Sequence, residues 1–350
     1  MKIISFCILT CLVGLNAVEL DNVVEDKNLT SINPIENHAV KFAIELGVKN
    51  NFWNPGLSGN VLNYDTEGLF LGFGKLKVKL YDSDVLVLDK YRTLESSPNQ
   101  DDLLATFKEN QKSTLDGMRI SLHVMKAVNY IFDTEWLEGL NYEYDTRDFV
   151  GSATLLQNGV YWYGRTNNGV LNQDFALLER EDALSFKTKF TSHKLSYKFE
   201  DVLESIKGSY VSIGLFDEEW SKPTFVGDTG LNGELPVVFD ANYYAQGVSG
   251  KVGMENSNYQ IQAYVDYGLN NEMKIIQKDE SYSQYNKDID MYTLGLKADY
   301  RFSDVYSTDV FTTDIIVGAR MQYNQIVQDG DIELDAETLY GVNSGIEIIF

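Results

Sequence analysis

The stretch Asn343-Ser344-Gly345-Ile346-Glu347-Ile348-Ile349-Phe350 decides the fold. Read at a period of two from Tyr340, the residues Tyr340, Val342, Ser344, Ile346, Ile348 and Phe350 share one face of a strand. Gly341, Asn343, Gly345 and Glu347 share the other. Successive side chains of a strand point to opposite sides, so one face is mostly apolar and ends in an aromatic ring, and the opposite face is polar. A strand of that kind separates hydrocarbon from water. It is the pattern of one stave of a transmembrane β-barrel.

The same eight residues resemble the C-terminal signal by which Gram-negative outer-membrane β-barrels are recognised by their assembly machinery. In that likeness the signal residues are Asn343, Gly345, Ile348 and Phe350. The resemblance is to the general porin-like type and not to a particular porin or transporter family. It implies an all-β chain, a transmembrane antiparallel up-and-down barrel, and the barrel assembly machinery as a partner.

Working outward, alternating segments recur along the chain. They are Val40–Val48, Leu69–Leu80, Val85–Tyr91, Met118–Val124, Leu140–Asp145, Val150–Leu156, Val160–Arg165 and Leu184–Phe190. Leu195–Phe199, Tyr210–Leu215, Tyr244–Met254, Tyr259–Tyr267, Met291–Phe302, Phe311–Tyr323 and Leu339–Phe350 follow. Turn-forming runs such as Gln157-Asn158-Gly159 and Glu255-Asn256-Ser257-Asn258 separate many of them. The list has an odd number of members and includes a short pair that one bent strand would unite. Bacterial single-chain barrels have even strand numbers, so about 14 strands, within a range of about 12 to 16, are expected in one domain. Long connections fall at 49–67, 92–116, 166–182, 216–236 and 269–289. Of these, Asp101–Lys112 reads as a short amphipathic helix, and no helical periodicity is evident elsewhere. Trp220 and the aromatic loop 269–289 read as exposed loop surface.

The beginning of the chain fits the same destination. A basic start, an apolar run from Ile3 to Leu15 and a small residue at Ala17 read as a secretory signal peptide over 1–17. An acidic periplasmic tail is expected over 18–37 and the barrel over 38–350. Both cysteines, Cys7 and Cys11, lie in the leader, so the barrel itself has no disulfide. The net charge of −23 excludes nucleic acid as a partner, because phosphate binding needs a basic face.

Charge then identifies the inward faces, since Lys or Arg facing lipid at the bilayer midplane costs about 2–4 kcal/mol. The expected lumen-lining residues are Lys75, Lys77, Lys79, Arg119, His123, Glu143, Asp145, Lys187, Lys189, Lys198, Asp266, Asp299, Asp314, Arg320 and Glu347. Phe186 and Phe190, alternating with Lys187 and Lys189, are expected to face outward. A wall so densely charged calls for a lumen that is water-filled or laced with salt bridges. The ladder Lys75, Lys77 and Lys79 would be a basic wall that binds transiting anions.

Catalytic constellations are scarce. The three histidines are His38, His123 and His193. The one pair with suitable spacing is Ser121 and His123, two apart on one face, and it has no third orienting group in the sequence. The run Asp329, Asp331, Glu333, Asp335, Glu337 reads as a solvated acidic loop. It lacks the glycine of a calcium loop, with Leu334 in that place. No cofactor or metal site is implied, and the chain does not read as an enzyme. The expectation is a porin-like outer-membrane channel for passive diffusion of small hydrophilic solutes or ions, surrounded by outer-membrane lipid and lipopolysaccharide. The alternatives are a surface barrel whose loops bind partners and, third, a lipid-modifying enzyme.

Overall fold

The computed structural model describes residues 40–56, 62–63, 68–80, 83–94, 113–132, 138–156, 158–167, 170–181, 183–203, 205–226, 237–276, 282–284, 289–328 and 336–350. The expected leader 1–17, the tail 18–37, His38 and the expected helix Asp101–Lys112 lie outside these residues. So does the acidic run, except for Glu337.

The described strands are β1 (Val40–Asn54), β2 (Leu62–Asn63), β3 (Gly68–Leu80), β4 (Ser83–Thr93), β5 (Thr114–Leu122), β6 (Leu140–Leu155), β7 (Gly159–Asn167) and β8 (Val170–Leu178). They continue with β9 (Ala183–Glu200), β10 (Ser209–Val226), β11 (Val237–Glu255), β12 (Tyr259–Ile276), β13 (Tyr282–Gln284), β14 (Ile289–Ser307), β15 (Thr312–Gln328) and β16 (Glu337–Ile349). Twelve of them make a closed antiparallel wall in the order β1-β3-β4-β5-β6-β9-β10-β11-β12-β14-β15-β16, with β16 pairing back onto β1. Closure leaves the wall without an edge, which is what hydrocarbon demands of a sheet.

The count of twelve follows from the fifteen alternating segments. Leu140–Asp145 and Val150–Leu156 are parts of the single strand β6, and Leu184–Phe190 and Leu195–Phe199 are parts of β9. Val160–Arg165 belongs to the β7–β8 hairpin, which pairs with the wall through a short parallel ladder at the start of β11. Polar residues interrupted the apolar faces of β6 and β9 without turning the chain.

Connections alternate in length. Those at 81–82, 123–139, 201–208, 256–258 and 308–311 lie at one end, with Val40 and Phe350. The remaining connections lie at the other end. Short turns are held by side chains that mimic a backbone turn. Asn256 Oδ1 accepts from the amides of Asn258 and Tyr259 at 2.8 and 2.9 Å. Asp201, at φ 50°, accepts from the Gly208 amide at 2.9 Å. A helix, α1 (Val124–Phe132), lies in the connection after β5. Val124, expected to end a lipid-facing strand, instead starts this helix and packs against Val40, Val78, Leu80, Val85, Leu86 and Leu122.

The outer face is an apolar belt. Phe42, Ile44, Leu46 and Val48 on β1, Leu294 and Leu296 on β14, and Val342 and Ile346 on β16 are all exposed. The inner neighbours Glu45, Lys49, Asp314 and Glu347 are buried. Phe350 is exposed on the outer face, and its amide donates to Phe42 O at 2.8 Å. The last strand thus has the faces read from its sequence.

Candidate functional site in the lumen

Most inward charges are held by a partner on the same stave or up to three staves away, so much of the lumen is built from ion pairs. Lys75 Nζ lies 2.7 Å from Glu45, and Lys77 bridges Glu45, at 2.7 Å, and Glu347. Lys79 pairs with Asp84 at 3.1 Å and with Glu347 at 3.7 Å. Arg301 reaches Glu347 and Asp314, the latter at 2.8 Å. On the facing wall Arg119 holds Asp145 at 2.9 Å, Lys251 holds Glu143 at 2.7 Å, and Lys194 holds Asp266. Lys198 pairs with Glu255 at 3.1 Å, and Lys297 with Asp299 at 2.7 Å.

Thirteen of the fifteen expected positions therefore project into the lumen or its mouth, counting Arg320 and His123, which line the cavity described below. Lys187 and Lys189 do not. β9 runs straight through Thr191–His193, so its phase is continuous. Phe186, Thr188, Phe190, Ser192 and Lys194 point inward, and Lys189 is exposed on the outside. The reason is physical. A wall that leaves hydrocarbon no longer excludes charge from its outer face, and the exposed Lys189 fits that condition. There the lumen takes the aromatic rings.

Those rings divide the interior. At the short-turn end a cavity of about 1010 Å³ opens among Glu45, Lys75, Arg119, Glu143, Lys251 and Asp299, with His123 and Lys126 at its mouth. Burial, reinforced by Lys126 and Lys198, holds the His123 imidazole below its ordinary pKa. Beyond the cavity the barrel is packed. Trp53 meets Phe149 edge-on with centroids 3.6 Å apart, Phe149 lies 5.7 Å from Phe186, and Phe190 lies 4.2 Å from Trp220. Trp220, Phe216, Tyr243, Met273 and Ile326 form one buried cluster. Voids lined by Glu218, Trp220 and Glu337 and by Trp53, Phe149 and Phe190 in this layer measure about 10 Å³ each, room for no more than a single water. Trp220, expected on a loop, is thus part of a layer across the lumen. Glu337, expected in an acidic loop, begins β16 and is buried beside it.

Reading by charge missed this layer, because an inward aromatic in a strand looks like a lipid-facing one. It also missed Arg147, which stacks 4.0 Å over the Phe190 ring, because the expected strand stopped at Asp145. Of the Ser121 and His123 pair, Ser121 donates to Asn141 at 3.4 Å. His193 faces outward and bonds the Tyr142 hydroxyl at 2.8 Å. Among the described residues no cluster of His, Cys, Asp and Glu is arranged to hold a metal ion.

No protein-family model matches the chain, and no curated protein matches it. Several solved structures are similar. The beta domain of the Bordetella autotransporter Brka is 10% identical over 87% of this chain and 99% of that one, with a TM-score of 0.26. A Pseudomonas aeruginosa FadL homologue is 9% identical over 89% of each chain, with a TM-score of 0.27. OmpT, an outer membrane protein of Vibrio cholerae, is 9% identical over 93% of this chain and 100% of that one, with a TM-score of 0.27.

Proposed function

We propose that the chain is an outer-membrane channel for passive diffusion of small hydrophilic solutes or ions, here with its passage closed by the aromatic layer. The observation that carries this reading is the charged cavity of about 1010 Å³ inside the wall. A barrel with only a structural task gains nothing from a polar vestibule, since buried ion pairs are weak sources of stability. The short-turn end, with Phe350, would face the periplasm, and the long connections the exterior. Solutes would meet a filter of paired charges and then a layer that must shift to let them pass.

The layer itself favours a second reading, a solid barrel that displays its long loops to partners. Single-channel recording of the refolded protein in a planar bilayer separates the two. A channel gives discrete openings, with a reversal potential under a salt gradient. A membrane that stays silent across the voltage range while holding folded barrel removes the channel reading and leaves the display barrel.

A further inference from the structure

We propose that the ceiling of the vestibule is a binding site for a small oxyanion, a carboxylate or a phosphate, built around Arg320 with Arg119 and Lys49. The lysine ladder expected to bind anions does not carry this role. Lys75, Lys77, Lys79 and Arg301 are matched by Glu45, Asp84, Asp314 and Glu347, so that wall is neutral as a unit.

The ceiling is different. Lys49 pairs with Asp89 at 3.1 Å, and Arg119 and Arg147 share the one carboxylate of Asp145, at 2.9 and 3.8 Å. Arg320 has no carboxylate partner among the described residues, and its Nη2 is buried without a hydrogen-bond acceptor. Four cations thus stand with two carboxylates. Lys49 Nζ lies 4.5 Å and the Arg320 guanidinium carbon 5.8 Å from the centroid of the same ring, Tyr91. A ring face offsets part of such a charge but accepts no proton in a fork. Arg320, Arg119, Lys49 and Asn343 all line the cavity.

Arg320 is partly exposed to the cavity, and its buried, unpartnered Nη2 leaves the guanidinium short of an acceptor on the protein side. The planar fork suits two oxygens of one anion, which a carboxylate or phosphate supplies and chloride does not. The cavity opens at the short-turn end, so such an anion reaches Arg320 without crossing the aromatic layer.

The test is calorimetric titration of the refolded full barrel in detergent, at low salt, with inorganic phosphate and with succinate in separate runs. Because no bilayer is used, an electrically silent barrel leaves the result intact. Binding of either oxyanion is expected, weakened roughly tenfold or more by Arg320→Gln, the loss of one charge-assisted fork. Lys207→Gln, at the rim, should leave the affinity within about twofold, the size expected of an exposed charge outside the ceiling. Response to phosphate alone or to succinate alone identifies the ligand class within the proposal. No binding of either in the millimolar range, or equal affinity in folded Arg320→Gln, overturns it. Should that variant fail to fold, the wild type decides. Phosphate must raise its Tm above chloride at equal ionic strength, and an unchanged Tm overturns the site.

Discussion

Glu45 and Glu347 stand directly opposite each other across the β1–β16 ladder, both fully buried, and Lys77 bonds to both. Two carboxylates so placed repel each other, and the lysine between them converts the repulsion into a clamp across the closing seam.

Replacing that lysine should therefore be far worse than replacing its neighbour. Lys77→Met leaves two buried carboxylates short of a cation and should cost about 3–5 kcal/mol. Lys75→Met removes a partner of Glu45 alone and should cost less. Urea unfolding in lipid, followed by the heat-modifiable band, measures both. Similar small losses would show that the seam does not depend on the clamp. The same clamp means that changing Lys75, Lys77 and Lys79 together would report on folding before it reported on ion selectivity.

The two faces of β12 offer a sharper contrast. Val265 is exposed on the outer face, while Gln262 lines the vestibule and accepts from the Tyr210 hydroxyl at 3.1 Å. Val265→Arg should lose about 2–4 kcal/mol to lipid exposure, and Gln262→Arg should fold normally. Comparable folded yields in lipid vesicles would contradict the assignment of faces.

Trp220 is buried against Phe190, and Arg147 stacks over that phenyl ring. Trp220→Ala should cost about 3–5 kcal/mol, as large aromatic deletions do in cores, and should open the layer. If solutes pass this way, the variant has a higher single-channel conductance than the wild type. An unchanged conductance in an active channel would put the barrier elsewhere.

His123 has a pH signature. Burial, with Lys126 and Lys198 nearby, lowers its pKa in the folded protein below the ordinary 6.5. The fold therefore binds fewer protons there than the unfolded chain does. Its contribution to stability is complete above pH 6.5 and declines as pH falls below that value. His123→Gln should flatten the acid side of the stability profile. An imidazole titration by NMR with a midpoint at or above 6.5 would rule this out.

Legibility from the sequence followed the solvent. Where β1, β3, β14 and β16 cross hydrocarbon, the medium excludes charge from one face, so alternation alone told Glu347 from Ile346. Toward the long loops the inner face of β9 packs into the aromatic layer while Lys189 is exposed on the outer face, so charge no longer marks the inside, and Lys187 and Phe186 exchanged places. Pairing was illegible for a different reason. That Lys251 meets Glu143, or that Arg320 meets no carboxylate among the described residues, depends on the curvature of the closed wall, which brings together residues far apart in the chain. The helix at Val124–Phe132 escaped notice because its first residues continue the period of β5.

The seam also governs time. The twelve pairs from Ala43↔Ile349 to Asn54↔Thr338 join residues separated by nearly the whole length of the chain, and contacts of such separation form slowly. Until they form, β1 and β16 are open edges beside a membrane, and each backbone group left there without a partner costs several kcal/mol. Zipping that ladder is what seals both edges at once. A slowed barrel would accumulate as an unsealed sheet, a species prone to pair with its own copies.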